Sequence, residues 1–114
     1  MTYVRMDKKI LIIILSGEKD RGKAITGLNL AIHLSSSTKV IFFGDSEKFA
    51  ASGDAEITSL IKQLENKGSV PVACINYAEK NGIGSELKEM KFELKAISSV
   101  IQDYLAQDYV PITF

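Results

Sequence analysis

Residues 10 to 15 read ILIIIL, six apolar residues without interruption. A strand with one wet face alternates apolar and polar residues, and a surface helix keeps its apolar residues on one stripe. A short continuous run rich in Ile, stopped by Ser16-Gly17, reads as a strand buried on both faces, the first strand, over Lys8 to Leu15. Such a strand needs helices on either side, so the run commits the chain to an α/β fold with a mostly parallel sheet. At six residues it is far too short to cross a bilayer.

The remaining pattern supplies the partners. A helix is expected over Arg21 to Ser35, with Asp20 as its N-cap. Val40 to Phe43 reads as the second strand, closed by Gly44-Asp45. Residues 45–53 (DSEKFAASG) read as a polar loop with room for a helical turn. The next helix starts near Asp54, with Ile57, Leu60, Ile61 and Leu64 on one face and Gly68 where a C-cap belongs. Val70 to Ala73 is the third strand, with Pro71 tolerated among its first residues. A short helix over Ile75 to Lys80 stops at Asn81-Gly82. Gly84 to Met90 is a further turn or short helix, and Phe92 to Leu94 a short fourth strand. A helix over Ala96 to Ala106 shows Ile97, Val100, Ile101, Tyr104 and Leu105 on one face. Val110 to Phe114 is the fifth strand.

The chain has 114 residues, 46% of them hydrophobic, enough to bury a core without disulfides or metals. The expectation is one domain over 1–114, with residues 1–7 as an N-terminal extension. Lys+Arg and Asp+Glu both total 14, so no basic excess favours nucleic acid. The single cysteine, Cys74, suits a reducing compartment, and the expected location is cytoplasmic.

Sites in parallel sheets lie at the carboxyl ends of the strands. Three segments reach that edge: GEKDRGKA (Gly17 to Ala24), the turn after Gly44, and Cys74. The first holds most of a phosphate-binding P-loop. Ala24, however, stands where a hydroxyl must bind Mg²⁺, Thr26 comes two positions late, and Gly44 separates Asp45 from its strand. The stretch therefore reads as a strand-to-helix turn. Its cluster of Lys19, Arg21 and Lys23 at a helix start suits a contact with an anion or an acidic partner. The plainer alternative is a solvated charged turn.

Cys74 ends a strand and begins a helix, a junction whose free N–H groups favour a thiolate. The alternative is a small buried hydrophobe. No His lies near it in sequence. His33 falls mid-helix, and one His with one Cys makes no metal site. Asn76 and Tyr77 follow directly and are candidate pocket residues, with a helix-start role and packing as their structural alternatives.

The stretch ACINYAEKNGI carries a resemblance. Ala73-Cys74, Ala78 four residues after the cysteine and Gly82-Ile83 closing the helix resemble the DsrE/DsrF-like sulfur-relay family, which includes TusD-type proteins. The order of elements, with VIFFGDS, SSVIQDYL and VPITF in their places, extends the resemblance over nearly the whole chain. It implies a three-layer α/β/α sandwich with a five-stranded, mostly parallel sheet. It places the family's active cysteine at Cys74, carrying sulfur as a persulfide or, in some members, a thiosulfonate, with no cofactor. It also implies a homo-oligomer, a trimer or hexamer, exchanging sulfur with a TusA-like carrier or a heterodisulfide-reductase-like system.

One further feature bears on assembly. Beside Ala24, Ile25, Leu28, Ala31 and Ile32, the first helix shows Leu30 and Leu34 near Thr26 and His33. A second packing partner, another subunit or the Met1 to Asp7 extension, is expected there. A non-catalytic oligomeric binding or assembly module with a structural Cys74 is the alternative function.

Overall fold

The computed structural model describes residues 8–35 and 37–114. Five strands form one sheet in the order β4-β3-β2-β1-β5, and every neighbouring pair is parallel. They are β1 (Ile10–Ile14), β2 (Lys39–Phe42), β3 (Val72–Cys74), β4 (Glu93–Lys95) and β5 (Val110–Thr113). The helices are α1 (Arg21–His33), α2 (Asp45–Ala51), α3 (Ala55–Asn66), α4 (Ile75–Lys80), α5 (Gly84–Glu89) and α6 (Ile97–Ala106).

The strand order explains the layers. From β1 to β4 the chain steps steadily in one direction, so crossovers of one hand lay their helices on one face. The last crossover reverses direction to place β5 beside β1, and its helix lands on the opposite face. The burial agrees. Ile12, Ile14, Val40, Phe42 and Ala73 pack against residues of α1 to α5 in the main core. Leu11, Ile41, Val72 and Cys74 point the other way, into a smaller cluster with Ile97 of α6 and Tyr109. The unbroken ILIII of β1 thus serves two cores at once. A three-layer sandwich results, thick on one side and a single helix deep on the other.

Three expectations change. Residues 45–51 form a full helix, α2, whose Phe49 and Ala50 are buried. Asp20 precedes α1 but caps none of its amides; its carboxylate instead lies 3.6 Å from Lys23. Helix α1 stops at His33. Its Leu30 and Leu34 are partly buried against the main core, which absorbs part of the second apolar stripe within the chain. The Met1 to Asp7 extension lies outside the described residues.

The ends of α3 fall where the sequence places them. Asp54 accepts from the Glu56 and Ile57 amides at the start of α3. Gly68 has φ +94°, and the bonds Gly68 N–H to Glu65 O and Ser69 N–H to Leu64 O close α3. Lys67 sends its ammonium back to α1, against the carbonyls of Ala31, Ile32 and Leu34. Among the described residues, no helix is long and apolar enough to cross a membrane.

Candidate functional site

Parallel strands bring the exits of β1, β2 and β3 to one edge, and specific contacts join them. Gly17, after β1, lies so close to Asp45 that an added Cβ would sit 2.8 Å from the Asp45 Cβ and backbone oxygen. Ser46 ties α2 back to β1: its hydroxyl donates to Ile14 O at 2.5 Å. Tyr77 of α4 donates its hydroxyl to Asp45 Oδ1 at 3.2 Å. The three segments singled out in the sequence therefore form one continuous edge.

Cys74 is the last residue of β3 and the N-cap of α4. It is 6% exposed, with its side chain among the residues of the α6-side cluster. Tyr77 packs against the same cluster. Burial raises the Tyr77 pKa, helped by its bond to Asp45 and by the charges of Asp45 and Glu47, so its hydroxyl stays a donor. Asn76 is exposed on the first turn of α4. On the sheet, Lys95 is the register partner of Cys74 and pairs with Glu93 at 2.9 Å.

The basic cluster divides. Arg21 donates to Asp54 at 2.9 Å and to Glu56 at 2.9 Å, and lies 5.2 Å from the centre of the Phe49 ring. Those two carboxylates hold Arg21 firmly charged, and Arg21 in turn lowers the Asp54 pKa. Arg21 is thus a structural clamp between α1 and α3. Lys23 faces Asp20. Lys19 remains at an open cleft of about 580 Å³ between the exits of β1 and β2, with Lys48 across it and Glu18, Asp20 and Asp45 in its wall. The mixed charge of that wall leaves no purely cationic cradle for phosphate. Ala24 is fully buried, and Thr26 returns its hydroxyl to Gly22 O at 2.7 Å within its own helix. His33 is exposed and donates from Nδ1 to Asn29 O at 2.7 Å. Among the described residues, no group of three or more His, Cys, Asp or Glu is placed to hold a metal ion.

Sequence reasoning passed over Glu47. It is the third residue of α2, fully buried, and its Oε2 accepts from the Gly44 amide at 3.1 Å. Its Oε1 has no hydrogen-bond partner of normal geometry. Burial pushes its pKa up to about 7, while the amides of Gly44 and Cys74 pull it down. The carboxyl thus lies between the exits of β2 and β3, against the backbone of the cysteine. The one sequence signal was G-x-x-E at Gly44 to Glu47, half of a capping box opening a helix.

The chain matches no protein-family model and no curated protein. Solved structures do resemble it. A conserved protein of unknown function, BT1422 from Bacteroides thetaiotaomicron, superposes with TM-score 0.76 at 17% identity, covering 91% of this chain and 94% of its own. The ychN protein from E. coli gives 0.74 at 18% identity, over 96% of this chain and 100% of its own. MTH1491 from Methanobacterium thermoautotrophicum, also of unknown function, gives 0.68 at 17% identity, over 92% of this chain and 99% of its own. At these identities the shared property is the fold.

Proposed function

We propose that the chain is a sulfur carrier that holds sulfane sulfur on Cys74 and yields it to a partner thiol. The observation that carries this reading is the position of Cys74: the chain's single cysteine stands at the N-cap position of α4, at the strand edge where three loops meet. The resemblance of ACINYAEKNGI to sulfur-relay proteins of the DsrE type supports the same assignment. In loading, the Cys74 thiolate attacks the terminal sulfur of a persulfide or polysulfide donor. A bond from Cys74 to that sulfur forms, the donor's S–S bond breaks, and the electron pair leaves with the donor thiolate. Unloading repeats the exchange, with a partner's thiolate attacking and the Cys74 thiolate leaving. One S–S bond replaces another, so no outside oxidant or reductant enters. A TusA-like carrier or a heterodisulfide-reductase-like system is the proposed acceptor.

The test is mass spectrometry after incubation with polysulfide, thiosulfate or tetrathionate. The expected result is a sulfur adduct that Cys74→Ser abolishes; an unmodified native protein sinks the proposal. The low exposure of Cys74 favours a second reading, a binding or assembly module in which the thiol only packs. That reading expects slow reaction with a thiol reagent until the chain unfolds, and no sulfur adduct.

Assembly as a homo-oligomer belongs to the proposal. The thin side of the sheet leaves Leu15 (45%) and Phe43 (40%) exposed near the carboxyl edge. Sedimentation equilibrium that finds a monomer removes this part.

A further inference from the structure

A cleft of about 440 Å³ opens on the thick side of the sheet, between α3 and the turn from α5 into β4. Val70, on the approach to β3, forms part of its wall. The cleft therefore lies toward the entry ends of the strands, away from the exits where Cys74 stands. The carrier reading makes no use of it.

The wall has three parts. Ile61, Val70 and Met90 supply an apolar surface, on which Val70 is left 45% exposed. Lys62 and Lys91 bring two ammonium groups. Glu65 follows Lys62 by one turn of α3 and lines the same cleft. Its Oε2 is shut off from solvent and has no hydrogen-bond partner. Burial raises the Glu65 pKa, and the charges of Lys91 and Lys62 oppose that rise. Yet among the described residues no salt bridge joins either lysine to Glu65 or to the exposed Glu89 of the same wall.

A buried carboxylate oxygen without a donor is costly, and here two ammonium groups in the same wall leave it so. Lys91 carries a second cost. Its φ is +67°, a left-handed conformation that glycine adopts with less strain. Strain held at a cleft marks a side chain kept for what it meets there.

We propose that this cleft binds a free apolar α-amino acid. The ligand's ammonium donates to Glu65 Oε2, and its carboxylate lies between Lys62 and Lys91. Its side chain covers Ile61, Val70 and Met90. Each part of the wall then meets the part of the zwitterion that complements it, and the orphaned oxygen gains its donor. A simple anion would leave Glu65 unpaired, and a simple cation would face two ammonium groups. The site stands apart from the sulfur chemistry, and no covalent step is involved.

The test titrates leucine into the full isotope-labelled chain and follows the backbone amides by NMR. N-acetyl-leucine, which lacks the ammonium, and leucinamide, which lacks the carboxylate, are the comparison probes. Leucine is expected to bind with a Kd of about 1 mM or tighter. The amides of Ile61 to Asn66 and of Glu89 to Lys91 should move most. The two analogues should bind at least about tenfold more weakly. Glu65→Gln and Lys91→Gly should each weaken leucine by about tenfold or more. Lys91→Gly relieves backbone strain, so its loss of binding is not a loss of fold. No leucine shifts at about 10 mM overturn the proposal. Analogues that bind as well as leucine overturn it too, because only an apolar group would then be recognised. Shifts that gather at the Lys19 cleft instead, or a Glu65→Gln that binds leucine unchanged, do the same. If Glu65→Gln does not fold, Lys91→Gly and the two analogues decide.

Discussion

Replacing Gly17 by alanine is expected to destabilise the fold by about 1–2 kcal/mol, while the same change at Gly22 stabilises it. At Gly17 a new Cβ meets Asp45 Cβ and O at 2.8 Å and the carbonyl carbon at 3.0 Å. Comfortable carbon contacts begin near ~3.5 Å, and part of what is struck is backbone that cannot swing aside. Alanine has no conformational quarrel with this position, where φ is −105° and ψ −153°. The cost is therefore overpacking, about 1–3 kcal/mol. The reduced entropy of the unfolded chain offsets about 0.4–1 kcal/mol of it. At Gly22, the second residue of α1, nothing lies within 4 Å. Alanine there removes the helix penalty of glycine and is worth about 0.5–1 kcal/mol. Thermal unfolding followed by circular dichroism reads both, with Gly17→Ala expected to lower Tm by roughly 4–10 °C. A neutral or stabilised Gly17→Ala, or a destabilised Gly22→Ala, would show that the contact between the β1 and β2 exits is misjudged.

Lys67→Met removes the ammonium from the carbonyls at the end of α1 and is expected to cost about 1 kcal/mol in urea unfolding with m unchanged; an unaltered midpoint refutes the capping role. Lys91 closes α5 at φ +67°, so Lys91→Gly should stabilise by about 1 kcal/mol, and a loss of stability in the same assay counts against it. Between the ordinary value of 4.5 and about 7, folded Glu47 keeps a proton that the unfolded chain has released. Stability should therefore fall as pH rises through that window and then level, by at most about 3 kcal/mol. Glu47→Gln should flatten this slope, and a slope that persists assigns it to another group.

What the sequence revealed followed from apolar pattern. The ILIIIL run announced a doubly buried strand, and its Leu11, Ile12 and Ile14 are buried; Ile57, Leu60, Ile61 and Leu64 announced α3 and are buried along one face. Helix α2 was hidden because it is short and mostly polar, with Phe49 and Ala50 as its apolar contribution to the core. Glu47 was hidden for a related reason. A carboxylate reads as surface, and only the three-dimensional closeness of two strand exits encloses it. Arg21 misled because its partners, Asp54 and Glu56, lie more than thirty residues away, and a local cluster of positive charge gives no sign of them. The meeting of the three loops was legible because parallel topology alone dictates it.

The pairing of β1 with β5 has a consequence for biosynthesis. Ile10 finds its partner Val110 in the last strand, after β2, β3 and β4 have been made. Until the ribosome has released β5, the most apolar strand of the protein has β2 on one side and an open rim of backbone N–H and C=O groups on the other. The nascent chain must therefore carry an adhesive edge until Val110 has emerged. A product ending before Val110 would retain it permanently, and should aggregate where the longer chain stays dispersed in light scattering.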